Sequence, residues 1–337
     1  DLVLADRDAD LALLKLEGAE GLPHLALRDS ETLEVGELVL AIGNPFGVGQ
    51  TVSSGIVSAV ARSGPATGNL RGYFVQTDAP INPGNSGGAL VDMAGRLVGI
   101  NTAILTRSGG SNGIGFAIPA ALVGQFAEQG RRGAERFQRP WAGMSGQPVD
   151  ADMAEALDLD GPRGMVISEL HPVSPFADAG LRPGDVVLAL DGAEVNGPAG
   201  MLYRLSIAGP GAEVNATIWR EGRAREIRLL LDPPPETPPR QPLTLDRETA
   251  LPGLALANVN PAVIVEMKLP LLERGVVVTD PGAYGRRAGL ARGDVILSVS
   301  GLEVARGRDV ARALSDDGWH EIVVQRGARR VALRFRS

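Results

Sequence analysis

An internal repeat constrains the second half of this chain more than any other feature of its sequence. Residues 179–195 and 288–304 are identical at ten of seventeen positions, and similar residue patterns continue on both sides of each copy. Two copies are too few for a solenoid, in which several stacked repeats share one continuous core. The repeat therefore predicts two similar globular modules, each with a core of its own.

The repeated motif "AGLxxGDV" is expected to be structural and to carry no chemistry. Its second glycine, Gly184 or Gly293, suits a tight turn, because glycine adopts backbone conformations that other residues avoid. Its aspartate, Asp185 or Asp294, can accept backbone hydrogen bonds within that turn.

The rest of the chain divides by composition. Up to about residue 125, short apolar runs separated by glycines predict the strands of a sandwich or barrel. Only the run after Pro119 has helical spacing of its apolar residues. The proline-rich stretch 232–242 favours an extended linker. The predicted divisions are a first domain over 1–137, modules over 138–232 and 248–337, and a linker over 233–247.

Composition excludes several classes of function. The 337 residues carry 33 Lys and Arg against 40 Asp and Glu, a net charge of −7, whereas nucleic-acid binding needs a basic surface. The absence of cysteine excludes disulfides and a cysteine nucleophile. No group of His, Asp and Glu has metal-ligand spacing, so we predict no metal site and no cofactor. From the net negative charge we predict no nucleic-acid partner.

One glycine-rich stretch, "INPGNSGGAL" over residues 81–90, suggests chemistry. Gly, Asn, Pro and Ser also make ordinary turns, so the stretch by itself leaves that alternative open. As a nucleophile, Ser86 needs a base and donors for the developing oxyanion. We expect those donors in the oxyanion-hole segment Gly84, Asn85 and Ser86, chiefly from the amides of Gly84 and Ser86.

Three collinear motifs identify a resemblance. "GNPFGVGQTVSSGIVSAV", "QTDAPINPGNSGGALV" and "GINTAI" resemble the HtrA/Deg family of trypsin-like serine proteases, and the two repeats resemble that family's PDZ domains. The resemblance implies a mainly β fold: a trypsin-like double β-barrel, with its first barrel largely missing from this chain, followed by two PDZ domains. It covers nearly all 337 residues.

The family's catalytic triad is His, Asp and Ser in chain order, and two members have matches here. Ser86 matches the nucleophile. Asp10 matches the aspartate, because it heads the strand "DLALLKL" in the way the family's aspartate does. Asp6 and Asp8 are interpreted as exposed turn residues.

The catalytic histidine has no match in this sequence. His24 follows Asp10 rather than preceding it, and His171 and His320 lie inside the repeats. The resemblance therefore implies a histidine upstream of Asp1, and we expect the chain to be part of a longer protease. A PDZ-based binding or chaperone protein with a vestigial protease domain is the alternative.

The resemblance also assigns binding residues. The primary specificity pocket matches Ile81, Thr102 and Ile104, an uncharged set that favours cleavage after small aliphatic residues and cannot stabilise Lys or Arg.

In each PDZ module, a turn is expected to bind a peptide's terminal carboxylate through backbone amides. The first module offers Ala142, Gly143 and Met144, with Met201 and Leu205 on the groove helix. The second offers Gly253 and Leu254, but Pro252 removes one amide donor, which favours a packing or regulatory role there.

Together these matches predict an HtrA-like serine endopeptidase of protein quality control that degrades unfolded or damaged proteins. Its expected partners are unfolded proteins and peptides with apolar C-termini. By resemblance we further expect a periplasmic location, possible envelope association through an upstream segment, and a homo-oligomer built of trimers.

Overall fold

Strands contribute more residues than helices to the structure, which is a computed structural model describing residues 1–47, 49–64, 69–104 and 112–337. Strands account for 36% of the chain and helices for 18%, which confirms the predicted mainly β fold. The chain divides into two compact units, residues 1–168 with 178–231 and residues 169–177 with 232–337. Among the helices of the described ranges, none combines the length and apolar character needed to cross a membrane.

The first unit begins with an antiparallel hairpin followed by a closed barrel. The hairpin strands are β1 (Leu2–Asp6) and β2 (Leu11–Leu14). The barrel strands are β3 (Leu38–Gly43), β4 (Thr51–Gly64), β5 (Asn69–Thr77), β6 (Ala89–Asp92), β7 (Leu97–Ile104) and β8 (Gly115–Pro119), and helix α1 (Ala120–Arg131) follows. The barrel closes in the order β3-β4-β5-β8-β7-β6 around a core of Val, Leu, Ile and Ala.

The first repeat forms a sheet with the order β14-β13-β11-β10-β9, and β12 pairs with β11. Its strands are β9 (Met144–Pro148), β10 (Met165–Leu170), β11 (Val186–Leu190), β12 (Ala193–Glu194), β13 (Glu213–Arg220) and β14 (Arg223–Leu230). Its helices are α2 (Ala151–Ala156), α3 (Pro175–Asp178) and α4 (Pro198–Ala208).

The second repeat forms a sheet with the order β15-β16-β17-β18-β20-β21, and β19 pairs with β18. Its strands are β15 (Leu243–Thr244), β16 (Ala255–Asn258), β17 (Val276–Asp280), β18 (Val295–Val299), β19 (Leu302–Glu303), β20 (Trp319–Arg326) and β21 (Arg329–Arg336). Its helices are α5 (Pro261–Met267), α6 (Gly282–Arg287) and α7 (Gly307–Ala313).

The repeated aspartate does the structural work predicted for it. Asp185 Oδ2 accepts the Arg182 N–H at 2.8 Å, and Asp294 Oδ2 accepts the Ala291 N–H at 2.9 Å. Both aspartates are 1% exposed, and each is also paired with an arginine, Arg220 in the first module and Arg326 in the second. These pairs neutralise two carboxylates whose burial would otherwise be costly.

Helix α4 of the first repeat packs on the barrel within the first unit. The ring of Tyr203 on α4 stacks on that of Tyr73 on β5, with centroids 3.9 Å apart and planes 7° from parallel. The neighbouring Arg204 forms an ion pair with Glu31. Aromatic stacking and a charge pair therefore connect the first repeat module to the barrel.

A buried ion network anchors the barrel wall where β3 and β6 meet. The Arg28 guanidinium donates to both carboxylate oxygens of Glu37 and lies 3.5 Å from Asp92 Oδ2. The side chains of Arg28 and Asp92 are 9% and 5% exposed. Hydrogen bonding to Arg28 lowers the pKa of Glu37, as expected for a carboxylate paired with a fixed cation.

Removing Arg28 should destabilise the barrel. We expect Arg28→Met to cost about 3 kcal/mol, near the lower end of the range for removing one partner of a buried pair, because Glu37 remains in contact with water. Amide hydrogen exchange of β3 and β6 measures the loss. The matched control is Arg96→Met, which removes the exposed partner of Asp92 and should cost less than about 1 kcal/mol. Equal effects of the two substitutions would contradict the prediction.

Candidate active site

Ser86 lies in the turn between β5 and β6, and backbone hydrogen bonds attach that turn to β7. The Gly87 N–H donates to Asn101 O at 2.8 Å, and the Asn101 N–H donates to Gly88 O at 2.9 Å. Gly84 has a φ of +106°, a conformation that favours glycine. The polar turn predicted by the sequence is therefore also a fixed support for one exposed hydroxyl.

Close packing against β3 explains two of the glycines. A Cβ atom on Gly88 would lie 2.1 Å from Ile42 O, and one on Gly43 would lie 2.4 Å from Asn85 Oδ1. Any larger residue at either position would push the turn away from the strand. Asn85 is accordingly buried, at 2% exposure, beneath the exposed Ser86.

Two amides of the turn remain available as donors. In the described part of the chain, the N–H groups of Gly84 and Ser86 donate to no acceptor, whereas the Asn85 N–H donates to Asn82 O at 2.9 Å. Two unpaired donors beside a serine hydroxyl can stabilise negative charge on a bound oxygen atom. Of the three residues predicted for the oxyanion hole, Gly84 and Ser86 have amides with no acceptor among the described residues.

Thr102 on β7 joins Ser86 to Asp10. The Ser86 hydroxyl donates to the backbone oxygen of Thr102 at 3.0 Å. The Thr102 hydroxyl donates to Asp10 Oδ2. The structure thus brings the predicted nucleophile and the predicted aspartate to one residue of β7, although 76 positions separate them in sequence. The sequence placed Thr102 in the specificity pocket and did not predict its bond to Asp10.

The turn that carries Asp10 is held by Asp6, and the interpretation of Asp6 as an exposed turn residue is wrong. Its carboxylate accepts the Ala9 N–H at 2.6 Å and two hydrogen bonds from Arg139, and its side chain is only 16% exposed. Burial by itself would raise the pKa of Asp6, but hydrogen bonds and charge from Arg139 hold it below its ordinary value. Asp10 itself has a left-handed φ of +55°.

The predicted pocket residues have different surroundings. Ile81 is 1% exposed and belongs to the barrel core, against Gly115. Thr102 directs its hydroxyl to Asp10. Ile104 ends β7, and its side chain lies outside the part of the structure that is described. The role of these residues in specificity stays a prediction.

The histidines lie in other local environments. His24 is exposed in the loop before β3. His171 Nδ1 accepts the Val173 N–H, and burial, together with the charge of Arg274, lowers its pKa. His320 is 5% exposed and stacks on Phe335. Over the described ranges, the side-chain hydrogen bonds of Ser86 and Asp10 involve Thr102 and no histidine.

The first module places its predicted peptide-binding residues around one edge. Gly143 turns the chain with a φ of +60° immediately before β9, the last strand of the sheet. Met201 and Leu205 are buried on α4, at 3% and 2% exposure, and α4 contacts β9. Residues four apart share one helix face, so both side chains lie on the same side of α4.

The second module uses its two predicted amides internally. The Gly253 N–H donates to Leu245 O at 2.8 Å, and the Leu254 N–H donates to Leu251 O at 3.2 Å. Over the residues that the structure describes, no cluster of three or more His, Asp and Glu side chains has the geometry to hold a metal ion.

Two family models match this chain. Residues 1–100 match the trypsin-like peptidase domain, and residues 143–231 match the PDZ domain. Among curated proteins, the chain is 39% identical over 301 residues to the periplasmic pH-dependent serine endoprotease DegQ of Escherichia coli K12, and 38% identical over 301 residues to the periplasmic serine endoprotease DegP of Salmonella typhimurium LT2. The alignments cover 89% and 88% of this chain but 63% and 59% of those relatives, so the chain spans less than two thirds of their length.

Solved structures agree with these matches. The HtrA-type protease AlgW with a decapeptide is 41% identical, with a TM-score of 0.51 over 70% of this chain and 72% of that one. AlgW with a tripeptide is 42% identical, with the same TM-score over 70% of this chain and 78% of that one.

The support of the Ser86 turn can be tested by adding one methyl group. Gly88→Ala forces a side chain against Ile42 O, and overpacking of this kind costs about 1–3 kcal/mol. The Asn101 amide, which donates to Gly88, should exchange faster with solvent in hydrogen-exchange experiments. Gly95→Ala is the control, because a Cβ there meets no atom within 4 Å and only the left-handed φ of +75° is strained. Unchanged exchange at Asn101 in Gly88→Ala would contradict the geometry.

Proposed function

Because the chain belongs to the HtrA family of trypsin-like serine proteases, we propose that it acts as a serine endopeptidase that degrades unfolded or damaged proteins in the bacterial periplasm. The observation that carries this proposal is the convergence of Ser86 and Asp10 on Thr102, beside the amides of Gly84 and Ser86, which have no acceptor within the described ranges. The periplasmic location is inferred from relatives that are named periplasmic.

The proposed reaction proceeds through an acyl-enzyme. The Ser86 oxygen attacks the carbonyl carbon of the scissile peptide bond while its proton passes to a histidine base. The carbonyl oxygen becomes an oxyanion and accepts hydrogen bonds from the Gly84 and Ser86 amides. The histidine returns the proton to the leaving amine, and water then hydrolyses the ester by the same steps. Because Ser86 donates to Thr102 O in this structure, its hydroxyl must rotate before it attacks.

Asp10 has the supporting role in this mechanism. Its carboxylate accepts the Nδ1–H of the histidine, which fixes the ring's tautomer and stabilises the imidazolium that forms. The Thr102 hydroxyl holds that carboxylate in place. Asp6 and Arg139 hold the turn on which Asp10 stands.

The histidine in this proposal comes from outside the 337 residues, in the family's chain order. The surface of the β1–β2 hairpin supports this assignment. Leu2 and Leu14 are 64% and 62% exposed and lie opposite each other on paired strands, and neighbouring exposed apolar side chains can mark a surface that another segment covers. Strands of a first barrel that carries the histidine would cover them.

Substrate capture is proposed for the first PDZ module. An extended C-terminal peptide would add a strand to β9 and place its carboxylate at the turn of Ala142, Gly143 and Met144. The apolar wall of Met201 and Leu205 favours an apolar last residue. The predicted assembly into trimers remains part of the proposal.

Replacing the nucleophile should abolish proteolysis. In protein that includes the histidine-bearing segment, we expect Ser86→Ala to lower the rate of casein hydrolysis by about 10⁶-fold, the usual effect of removing a triad serine. Ser54→Ala, at an exposed serine on β4, is the control and should keep full activity. A variant that retained a tenth of wild-type activity would exclude Ser86 as the nucleophile.

Thr102 should act through Asp10 and not through substrate contact. Thr102→Val removes a hydrogen bond to a charged group, worth about 1.5–3 kcal/mol, so kcat should fall roughly 10- to 100-fold while KM changes little. Thr102→Ser keeps the hydroxyl and should restore most of the activity. A change in cleavage preference with kcat intact would instead place Thr102 in the specificity pocket.

The predicted pocket is uncharged, and its two isoleucines, Ile81 and Ile104, predict cleavage after Val, Ala or Ile. A pocket without a carboxylate gives a Lys or Arg side chain no compensation for lost hydration. Mass spectrometry of casein digests identifies the cleaved positions. A preference for Lys, Arg or Phe would refute the pocket assignment.

A further inference from the structure

Residues 243–245 lie along the edge of the second module's sheet where a bound peptide would add a strand. Strand β15 pairs antiparallel with β16, with Leu243 opposite Leu256 and Thr244 opposite Ala255. In the first module the corresponding position beside β9 holds no strand among the described residues. The two repeats therefore differ at the edge that would receive a ligand.

Leu245 reproduces the contacts of a ligand's last residue. Its carbonyl oxygen accepts the Gly253 N–H at 2.8 Å, and its own N–H donates to Leu254 O at 2.9 Å. In PDZ recognition, backbone amides of this turn bind the terminal carboxylate of the peptide. A backbone carbonyl of the same chain occupies one of those donors here.

The side chain of Leu245 is also buried in the apolar core beside the turn. It is 3% exposed and belongs to one buried cluster with Leu254 and Leu256 of the turn and β16, with Val310 on α7 and with Leu314 immediately after α7. These are the two elements that form the walls of a PDZ groove. The pocket that would select an apolar last residue is therefore already occupied.

Leu243 occupies the next inward position, two residues before Leu245. A Cβ atom built on Gly307, the first residue of α7, would lie 3.6 Å from Leu243 Cβ. Side chains alternate along a strand, so Leu243 and Leu245 point into the groove and Thr244 points away. The antiparallel direction of residues 243–245, the alternation of their side chains and the bond from Gly253 to Leu245 are those of a peptide added to a sheet edge.

We propose that residues 243–245 are an internal ligand that fills the peptide groove of the second module, so that the first module alone captures C-terminal peptides. The division of roles rests on the proposed capture function, whereas occupancy of the groove does not. A flexibly tethered segment has an effective concentration on the order of millimolar. At equal intrinsic affinity, a free peptide at micromolar concentration therefore displaces little of it.

A disulfide tests whether the segment lies in the groove in solution. The chain has no native cysteine, and a Cβ separation of 3.6 Å lies within the range of about 3.5–4.5 Å that disulfides require. We expect the double variant Leu243→Cys with Gly307→Cys to crosslink nearly completely under oxidised glutathione. Thr244→Cys with Gly307→Cys is the matched control and should not crosslink. Failure of the first pair, or equal crosslinking of both, would overturn the proposal.

A titration of the unmodified 337-residue protein with an apolar free-acid peptide tests the consequence. The amide signal of Gly143 should shift in the NMR spectrum while that of Gly253 stays unchanged. A saturable shift at Gly253 with micromolar peptide would overturn the proposal. If neither amide signal shifts, the first module does not capture the peptide and the division of roles is wrong. The crosslinking experiment then still shows whether residues 243–245 lie in the groove. Neither readout depends on proteolysis.

Discussion

The candidate active site depends on one residue of β7, because Thr102 is where its two halves meet. The backbone oxygen of Thr102 accepts from Ser86 and its hydroxyl donates to Asp10. The neighbouring Asn101 exchanges two backbone hydrogen bonds with the turn that carries Ser86. A hairpin and a turn far apart in sequence are thus held at one strand. The barrel supplies the rigidity that positioned catalytic groups require, and its closure leaves β7 paired on both sides.

Two side-chain contacts connect the first repeat module to elements around the site. Asp6 uses a partly buried carboxylate to tie the Asp10 turn to Arg139, which lies in the segment leading into the first repeat module. The stacked rings of Tyr73 and Tyr203 attach that module to the barrel a second time. Asp6 therefore both supports the turn of Asp10 and contacts the segment that leads into the first module.

The two repeat modules show how one sequence pattern serves different ends. Both keep the buried Asp–Arg pair, which stabilises the turn before the central strand. They differ at the sheet edge, where β9 is the last strand in one module and β16 is covered by β15 in the other. The segment 243–245, within the predicted linker, accounts for that difference. The repeated sequence gives both modules the same sheet, whereas the residues before the second repeat cover the edge of its sheet.

The sequence by itself determined the mainly β fold and the repeated modules, and it predicted Ser86 and Asp10 as catalytic residues, because turn chemistry, strand patterning and collinear motifs are local signals. Only the tertiary structure decided that Thr102 binds Asp10, that Asp6 is ion-paired and partly buried, and that Leu245 occupies the Gly253 amide. Each of these contacts depends on strand register or on the packing of distant segments. A threonine in a strand or a leucine after a linker has the same local pattern whichever partner it meets, so the partner becomes known only when the chain has folded.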